Sequence, residues 1–456
     1  MSRRVKLCAI AQNEGPYLAD WVFHHLHVGF DGVEVWVNGS HDTSVQIMEA
    51  VSAAYQQVSF RVVDELLEDS LLRGRWFQYR AYARLARRAE RQGYTHAGFL
   101  DLDEYWLPQD LETSIHAFLP EAADVNVVSF PWGMDVPSPH RPAFDHPLAG
   151  ELTVQLDPHV KSVVRLDDRV VQVRPHTART TSGTRLLVRD PFPLAHEEAQ
   201  QWGSFVPDDH FASTRDHLPE AFVLHAVHRS QTEYVGSLRK PQRTSTTDSR
   251  YRTNRRGFLA RGGPVLPVRL PEPALARYLR ARERFRAEVG VDALVDEATA
   301  FTSHRASSVI QDVVADPTLM ERVRGVLHRV SAPALDQRYP GWDYHLEWCV
   351  DAVRPTEAGA EVTGWAFSAT SGHDLEFGFR DAAGALWHAG PVDRSPRRDV
   401  VHVHPEAPPD SGFRVEVPRG LRVDAGTLLL ARPTGSTVWS SLPLSAHLAG
   451  QRTGNP

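Results

Sequence analysis

His96-Ala97-Gly98-Phe99-Leu100-Asp101-Leu102-Asp103-Glu104-Tyr105-Trp106 is the stretch from which the rest of the chain is read. An apolar run of strand length ends where the acids begin. Side chains two apart on an extended segment point the same way. Asp101 and Asp103 are therefore expected to converge at the carboxyl end of a strand, the edge at which open α/β sheets bind ligands. Two hard oxygen ligands suit manganese or magnesium, and such an ion also takes diphosphate oxygens. Held there, it neutralises the charge that builds on a leaving nucleoside diphosphate. An isolated Asp-x-Asp is more often an exposed turn. What sets this one apart is the strand before it and the pattern upstream.

That pattern alternates. Residues 5–11 are a short β-branched apolar run ending at a polar Asn-Glu-Gly-Pro segment, and Pro16 opens a helix in which Leu18, Trp21, Val22, His25 and Leu26 recur at helical spacing. Val33, Val35 and Val37 mark a second strand, followed by Asn38-Gly39-Ser40-His41-Asp42. A helix over residues 44–56, a strand over 60–63, a long helix over 72–92 and a strand over 125–130 continue the series. Strand and helix in alternation predict an α/β fold, a mostly parallel sheet covered by helices. Residues 136–220 break into short antiparallel strands and loops. Residues 273–289 and 317–329 read as helices, the second announced by Asp316-Pro317. A linker over 332–343 precedes strand-like runs at 346–350, 361–367, 375–379, 413–417 and 427–431, which predict a small β-sandwich. The expected organisation is a catalytic domain over 1–262, a helical extension and linker over 263–343, and an all-β module over 344–450.

The chain has 456 residues, 42% hydrophobic and 23% charged, which fits a globular protein of more than one domain. A formal net charge of -7 gives no footprint for nucleic acid. Two cysteines, Cys8 and Cys349, are too few for a disulfide framework and place the expected compartment in the reducing cytosol. No apolar run reaches the ~18 residues of a membrane span. Peripheral membrane association stays open.

Cys8-Ala9-Ile10-Ala11-Gln12-Asn13-Glu14, then Trp21 and His25, Val37-Asn38-Gly39-Ser40-His41-Asp42-Thr43 and Phe99-Leu100-Asp101-Leu102-Asp103-Glu104-Tyr105 resemble the family 2 glycosyltransferases. The resemblance covers residues 5–130 and extends more weakly to 245. It implies a GT-A fold, a Rossmann-like mixed sheet with helices on both faces. It also implies a nucleotide-sugar donor (UDP by default), a divalent metal at Asp101 and Asp103, and inversion at the anomeric carbon. The implied nucleotide-binding residues are Asn13, Glu14, Asn38, Ser40, Asp42 and Asp101. Ordinary turn chemistry is the competing reading of Asn38, Ser40 and Asp42.

Residues 222–234 resemble the same family's late histidine segment, with Ala226 where the family has tyrosine. His225 is the implied third metal ligand or a diphosphate contact, with His228 as its rival. Arg229, Arg239 and Lys240 read either as diphosphate contacts or as charged surface. Inverting transfer needs a base for the acceptor hydroxyl. Asp135, after a strand and the Pro131-Trp132-Gly133 turn, and Asp209, beside Asp208, are the two candidates. Trp132 reads first as core and second as a sugar platform. His159, Lys161, Arg165 and His176 carry no assigned role. The C-terminal run, with Gly364-Trp365-Ala366-Phe367 and Ser411-Gly412-Phe413, resembles a β-sandwich appended to some bacterial glycosyltransferases and reads as a scaffold. The expected acceptor is a glycan or lipid-linked saccharide. The competing reading is a glycan-binding protein with a degenerate transferase domain.

Overall fold

The computed structural model describes residues 3–122, 124–239, 251–260, 262–357, 359–368 and 374–445. It divides into two compact units, Met1–Arg250 with Leu259–Ala306, and Tyr251–Phe258 with Ser307–Pro456.

The first unit runs β1 (Val5–Ala11), α1 (Gly15–His27), β2 (Gly32–Val37), α2 (Ser44–Ala54), β3 (Val58–Val62), α3 (Asp64–Leu72), α4 (Phe77–Arg91), β4 (His96–Phe99), β5 (Glu104–Pro108), β6 (Val125–Asp135), β7 (Thr153–Arg165), β8 (Val170–Val173), β9 (Ala178–Thr180), β10 (Thr184–Leu187), β11 (Asp190–Pro191), α5 (His196–Trp202), α6 (Asp208–Thr214), β12 (Ala221–His225), α7 (Gln231–Leu238), β13 (Leu266–Pro267), α8 (Glu272–Val289) and most of α9 (Asp292–Ala315). Strands β3, β2, β1 and β4 are parallel neighbours. β7 enters antiparallel between β4 and β6, and β12 lies parallel to β6 and antiparallel to β5. This is the expected mixed α/β sheet, Rossmann-like in its first half.

Period-two alternation explains how both faces are covered. Val5, Leu7, Ala9 and Ala11 of β1 and Val33, Val35 and Val37 of β2 pack with Leu18, Trp21 and Val22 of α1, Ile47 and Val51 of α2, and Tyr278 and Phe285 of α8. The alternate residues Cys8 and Trp36 pack on the other face with Phe77, Ala81, Tyr82 and Leu85 of α4. That face also buries Lys6 against Glu34 at 2.6 Å, with Arg88 of α4 at 2.8 Å from Glu34. Gly15, at the start of α1, admits no side chain: a Cβ there would lie 2.6 Å from the Cβ of Ala298 on α9.

Three expectations change. The helix expected over 72–92 begins only at Phe77; Leu72 is the last residue of the separate α3, and between the two Gly74 turns with φ +58. Trp76, read as part of its apolar side, is 61% exposed. α9, the long helix after α8, was not foreseen.

The second unit contains α10 (Pro317–Leu327), α11 (Pro333–Arg338) within the expected linker, β14 (Leu346–Thr356), β15 (Gly359–Ser368), β16 (Leu375–Arg380), β17 (Leu386–His388), β18 (Asp393–Ser395), α12 (Arg398–Val403), β19 (Gly412–Glu416), β20 (Leu428–Pro433) and β21 (Ser440–Pro443). The Asp316 side chain caps α10 by accepting from the backbone N–H of Thr318 and Leu319. Sheets β14-β15-β19-β18 and β17-β16-β20-β21 share one core, built from Val350, Val362, Phe413 and Val415 of the first and Phe377, Phe379 and Leu429 of the second. This is the expected sandwich. Among the described residues, no helix is long and apolar enough to cross a membrane.

Candidate active site

The segment between β4 and β5 is a tight turn, not the extended run expected from the spacing of its acids. The backbone N–H of Glu104 donates to Asp101 O at 3.0 Å. Three residues, from α1 and from the turn after β12, hold the β4–β5 turn. The Trp21 indole N–H of α1 donates to the carbonyls of Asp101 and Glu104 at 3.1 and 2.8 Å. Arg229 donates to Leu102 O at 2.9 Å, and Ala226 N donates to Asp103 O at 2.7 Å.

As a result the two aspartates have different partners. Asp101 accepts from the Tyr82 hydroxyl at 3.2 Å and from Lys161 Nζ at 3.3 Å. Lys161 also lies 2.9 Å from Glu104 Oε2, which in turn accepts from Asp101 N at 2.9 Å. Lys161 and Glu104 are both fully enclosed. Burial raises the Glu104 carboxyl to about 7 against the pull of Lys161. Burial also works against the Lys161 ammonium, but Asp101 and Glu104 outweigh it and hold the lysine charged.

Asp103 Oδ2 lies 3.5 Å from His225 Nε2. Two atoms each ~2.1 Å from one ion and at right angles about it are ~3 Å apart, so this pair fits two adjacent ligands of a divalent cation. Among the described residues, no three His, Cys, Asp or Glu side chains group closely enough for an all-protein cage. Magnesium-like ions characteristically take one or two protein ligands and complete their shell with phosphates and water. Asp103 and His225 therefore fit such an ion. Asp101, assigned to the metal from sequence, accepts here from Lys161 and Tyr82.

Beside the pair stands Arg229. Its guanidinium lies over the Tyr17 ring, 3.3 Å from the centroid, and 3.8 Å from Glu14 Oε2. Its backbone is left-handed, with φ 49. Asp135 secures that conformation: its carboxylate accepts from the backbone N–H of His228 at 3.1 Å and of Arg229 at 2.7 Å, and from the His228 ring at 3.0 Å. Burial opposes ionisation of Asp135, but these donors overcome it and hold its carboxyl below the usual range. Asp135, one of the two candidate bases, spends its carboxylate on these donors. It is a saturated anchor for the turn after β12, and His228 is its partner. Asp209 stands exposed in the first turn of α6.

The loops after β1 and β2 bind each other. Asn13, at φ 53, donates its N–H to Ser40 Oγ and accepts from His41 N at 2.7 Å. Asp42 accepts from Gly15 N at 2.9 Å and from Ser44 N at 3.1 Å, tying the starts of α1 and α2 together. Asn38 is 1% exposed and donates to Ala11 O. Asn38, Ser40 and Asp42 thus hold the loops after β1 and β2 together. Lys240 lies outside the described residues.

A row of rings extends from His225. Its centroid is 4.4 Å from Trp132. Trp132 stacks on His159 at 4.9 Å, and His159 meets Phe205 at 4.4 Å. His176 touches both Trp132 and His159. Trp132, read first as core, is half-buried in this row. Sequence reasoning assigned nothing to Lys161, Glu104, His159 or Asp157. A lysine or histidine on a strand is legible only once the strand's neighbours are known.

No family model matches the chain, and no curated protein matches it. Among solved structures it is similar to the crystal structure of S. aureus TarS, at 11% identity over 96% of this chain and 77% of that one, with a TM-score of 0.24. It is also similar to the crystal structure of a glycosyltransferase involved in the glycosylation of the major capsid of PBCV-1, at 10% identity over 35% of this chain and 60% of that one, with a TM-score of 0.15. Scores this low carry nothing over to this chain.

Proposed function

We propose that this chain is an inverting glycosyltransferase that moves a sugar from a nucleotide-sugar donor to a hydroxyl of a glycan or lipid-linked saccharide. The observation that carries the reading is the Asp103–His225 pair, 3.5 Å apart beside the carboxyl ends of the parallel strands. In a sheet of this kind that edge is the ligand site. A manganese or magnesium ion held by the pair would supply the charge neutralisation that a departing diphosphate needs. Arg229 adds a fixed cation, aimed by Asp135 and cushioned on Tyr17. The Asn13–His41 and Gly15–Asp42 bonds keep the nucleoside loops in shape before the donor arrives, so less ordering cost falls on binding. Lys161 fixes the Asp101–Glu104 turn from beneath. UDP is the default nucleotide.

Product analysis tests the reading. The protein is incubated with UDP-, GDP-, CDP- and dTDP-sugars, manganese and a panel of glycan acceptors, and the products are identified by mass spectrometry. A nucleoside diphosphate together with a glycosylated acceptor, or with free sugar when water is the acceptor, supports it. Cleavage within the diphosphate to a monophosphate, or no consumption of any donor, contradicts it.

A further inference from the structure

The row of rings beside the metal pair contains a histidine–carboxylate dyad that the local chain geometry is built to expose. β6 and β7 pair residue by residue until Pro131 faces Val160, and the next pair is Trp132 with Asp157. Pro158 and His159 are thus extra residues on β7, a bulge. Bulges re-aim side chains next to active sites, and proline, which cannot donate to a ladder, is tolerated there. The displaced segment pairs instead with residues 204–206. His159 bridges Phe205, Val160 N donates to Ser204 O, and Val206 N donates to Pro158 O.

The bulge folds Asp157 and His159 onto each other. The His159 ring Nδ1 lies 2.5 Å from Asp157 Oδ1, and the His159 backbone N–H donates to the same oxygen at 3.1 Å. The Asp157 side chain is 5% exposed and the His159 side chain 31%. A buried carboxylate on Nδ1 keeps the proton there and leaves Nε2 as an acceptor. The groups packed around the ring are Trp132 of β6, Phe205, Asp157 on its own strand, and His176 from the turn between β8 and β9. Burial first, then the nearby Lys161 charge, lowers His176 to about 3. It therefore stays neutral and does not compete for the proton.

Resting on the glycosyltransferase reading, we infer that His159, oriented by Asp157, is the general base that deprotonates the acceptor hydroxyl, with Phe205 and Trp132 forming the platform for the acceptor sugar. In the step, the hydroxyl oxygen forms its bond to the anomeric carbon of the donor. Its proton passes to His159 Nε2. The bond from that carbon to the phosphate oxygen breaks, and its electron pair leaves on the nucleoside diphosphate. The imidazolium is balanced by Asp157.

The test is steady-state release of nucleoside diphosphate from the donor that the wild-type protein consumes, with manganese present, for wild type, His159→Gln, His159→Ala, Asp157→Asn and Asp209→Asn. The expected result is a fall in kcat of about 100-fold or more for His159→Gln, the scale of a lost general base. Donor KM and the manganese-dependent thermal shift with UDP stay at wild-type values, and added imidazole partly restores His159→Ala. Asp157→Asn gives a smaller fall in kcat, again at unchanged KM. The proposal is overturned if His159→Gln keeps near-wild-type kcat, if its loss comes with loss of nucleotide binding, if imidazole rescues nothing, or if only Asp209→Asn abolishes turnover. A wild-type protein that consumes no donor sinks the glycosyltransferase reading itself, an outcome distinct from an active wild type matched by His159→Gln.

Discussion

His225 Nε2 and Asp103 Oδ2 stand 3.5 Å apart because β12 pairs with β5 in a register that sets His225 opposite Glu104. The pair is thus fixed by a backbone ladder, not by flexible side chains. Removing His225 takes away one of two ligands. His225→Ala is expected to weaken manganese-dependent nucleotide binding by at least the ~10-fold seen when only an outer-sphere partner is lost. Calorimetric titration checks it, and unchanged affinity would take the histidine out of the metal site.

Lys161 is the cation that balances the enclosed Glu104 and the partly exposed Asp101. Lys161→Met leaves the buried Glu104 without its counter-charge, a change expected to cost about 3–5 kcal/mol of stability. Urea unfolding measures the loss. Adding Glu104→Gln should recover part of it, and strict additivity of the two changes would show that the residues do not act together.

Stability falls in acid through the buried histidines. His24 donates or accepts at Trp106 O and the Tyr278 hydroxyl, and burial lowers it to about 4 from 6.5. Its folded pKa lies below its unfolded one, so its contribution is complete above 6.5 and is lost as pH falls towards 4. That amounts to about 2 kcal/mol between pH 7 and pH 5, and His96 and His176, lowered by burial to about 4 and about 3, add losses of the same sign that outweigh the opposing contribution of Glu104. Glu104 has the opposite sign. Its folded pKa of about 7 exceeds 4.5, so its contribution is complete below 4.5 and is lost as pH rises through 7. Unfolding curves at pH 5 and pH 7 should show wild type weaker in acid, Glu104→Gln weaker still in acid relative to pH 7, and His24→Gln less sensitive. Equal stability of wild type at both values would contradict this.

Asp135 accepts from three donors on His228 and Arg229. Asp135→Ala leaves buried N–H groups without an acceptor and is expected to lower stability by about 1–3 kcal/mol per orphaned group, read as a fall in the urea midpoint. An unchanged midpoint would return Asp135 to the list of candidate bases.

Gly15 is expected to resist substitution for a reason of space. Gly15→Ala drives its methyl against Ala298 and should cost about 1–3 kcal/mol. Ala298→Gly in the same chain should relieve most of that cost, and a double variant no better than the single one would deny the contact.

The sheet was legible because β1 and β2 are short apolar runs whose ends carry Pro16 and the Asn38–Asp42 turn residues. The five sandwich strands were legible because similar runs recur between Gly, Pro and Ser turns. α9 was not: Ser303, Ser307 and Ser308 mask a buried stripe of Ala298, Thr302, Ala306, Val309 and Val313. At the site, the Asp101–Asp103 motif pointed to the loop on which the proposed metal pair stands. The argument from strand periodicity failed locally, because the backbone turns at Asp101. Lys161 and His159 were beyond reach of sequence. Their positions depend on β7 entering antiparallel beside β4, and on a bulge that only the pairing with β6 reveals.

Thermal-shift titration of the purified protein with UDP, GDP, CDP and dTDP, with and without manganese and alongside Asp103→Ala, tests the central claim most directly. A ligand that binds the native state raises the midpoint. The account predicts a manganese-dependent rise with one nucleotide, abolished in Asp103→Ala. A midpoint that no nucleotide moves, or a rise that is indifferent both to manganese and to Asp103, would contradict it.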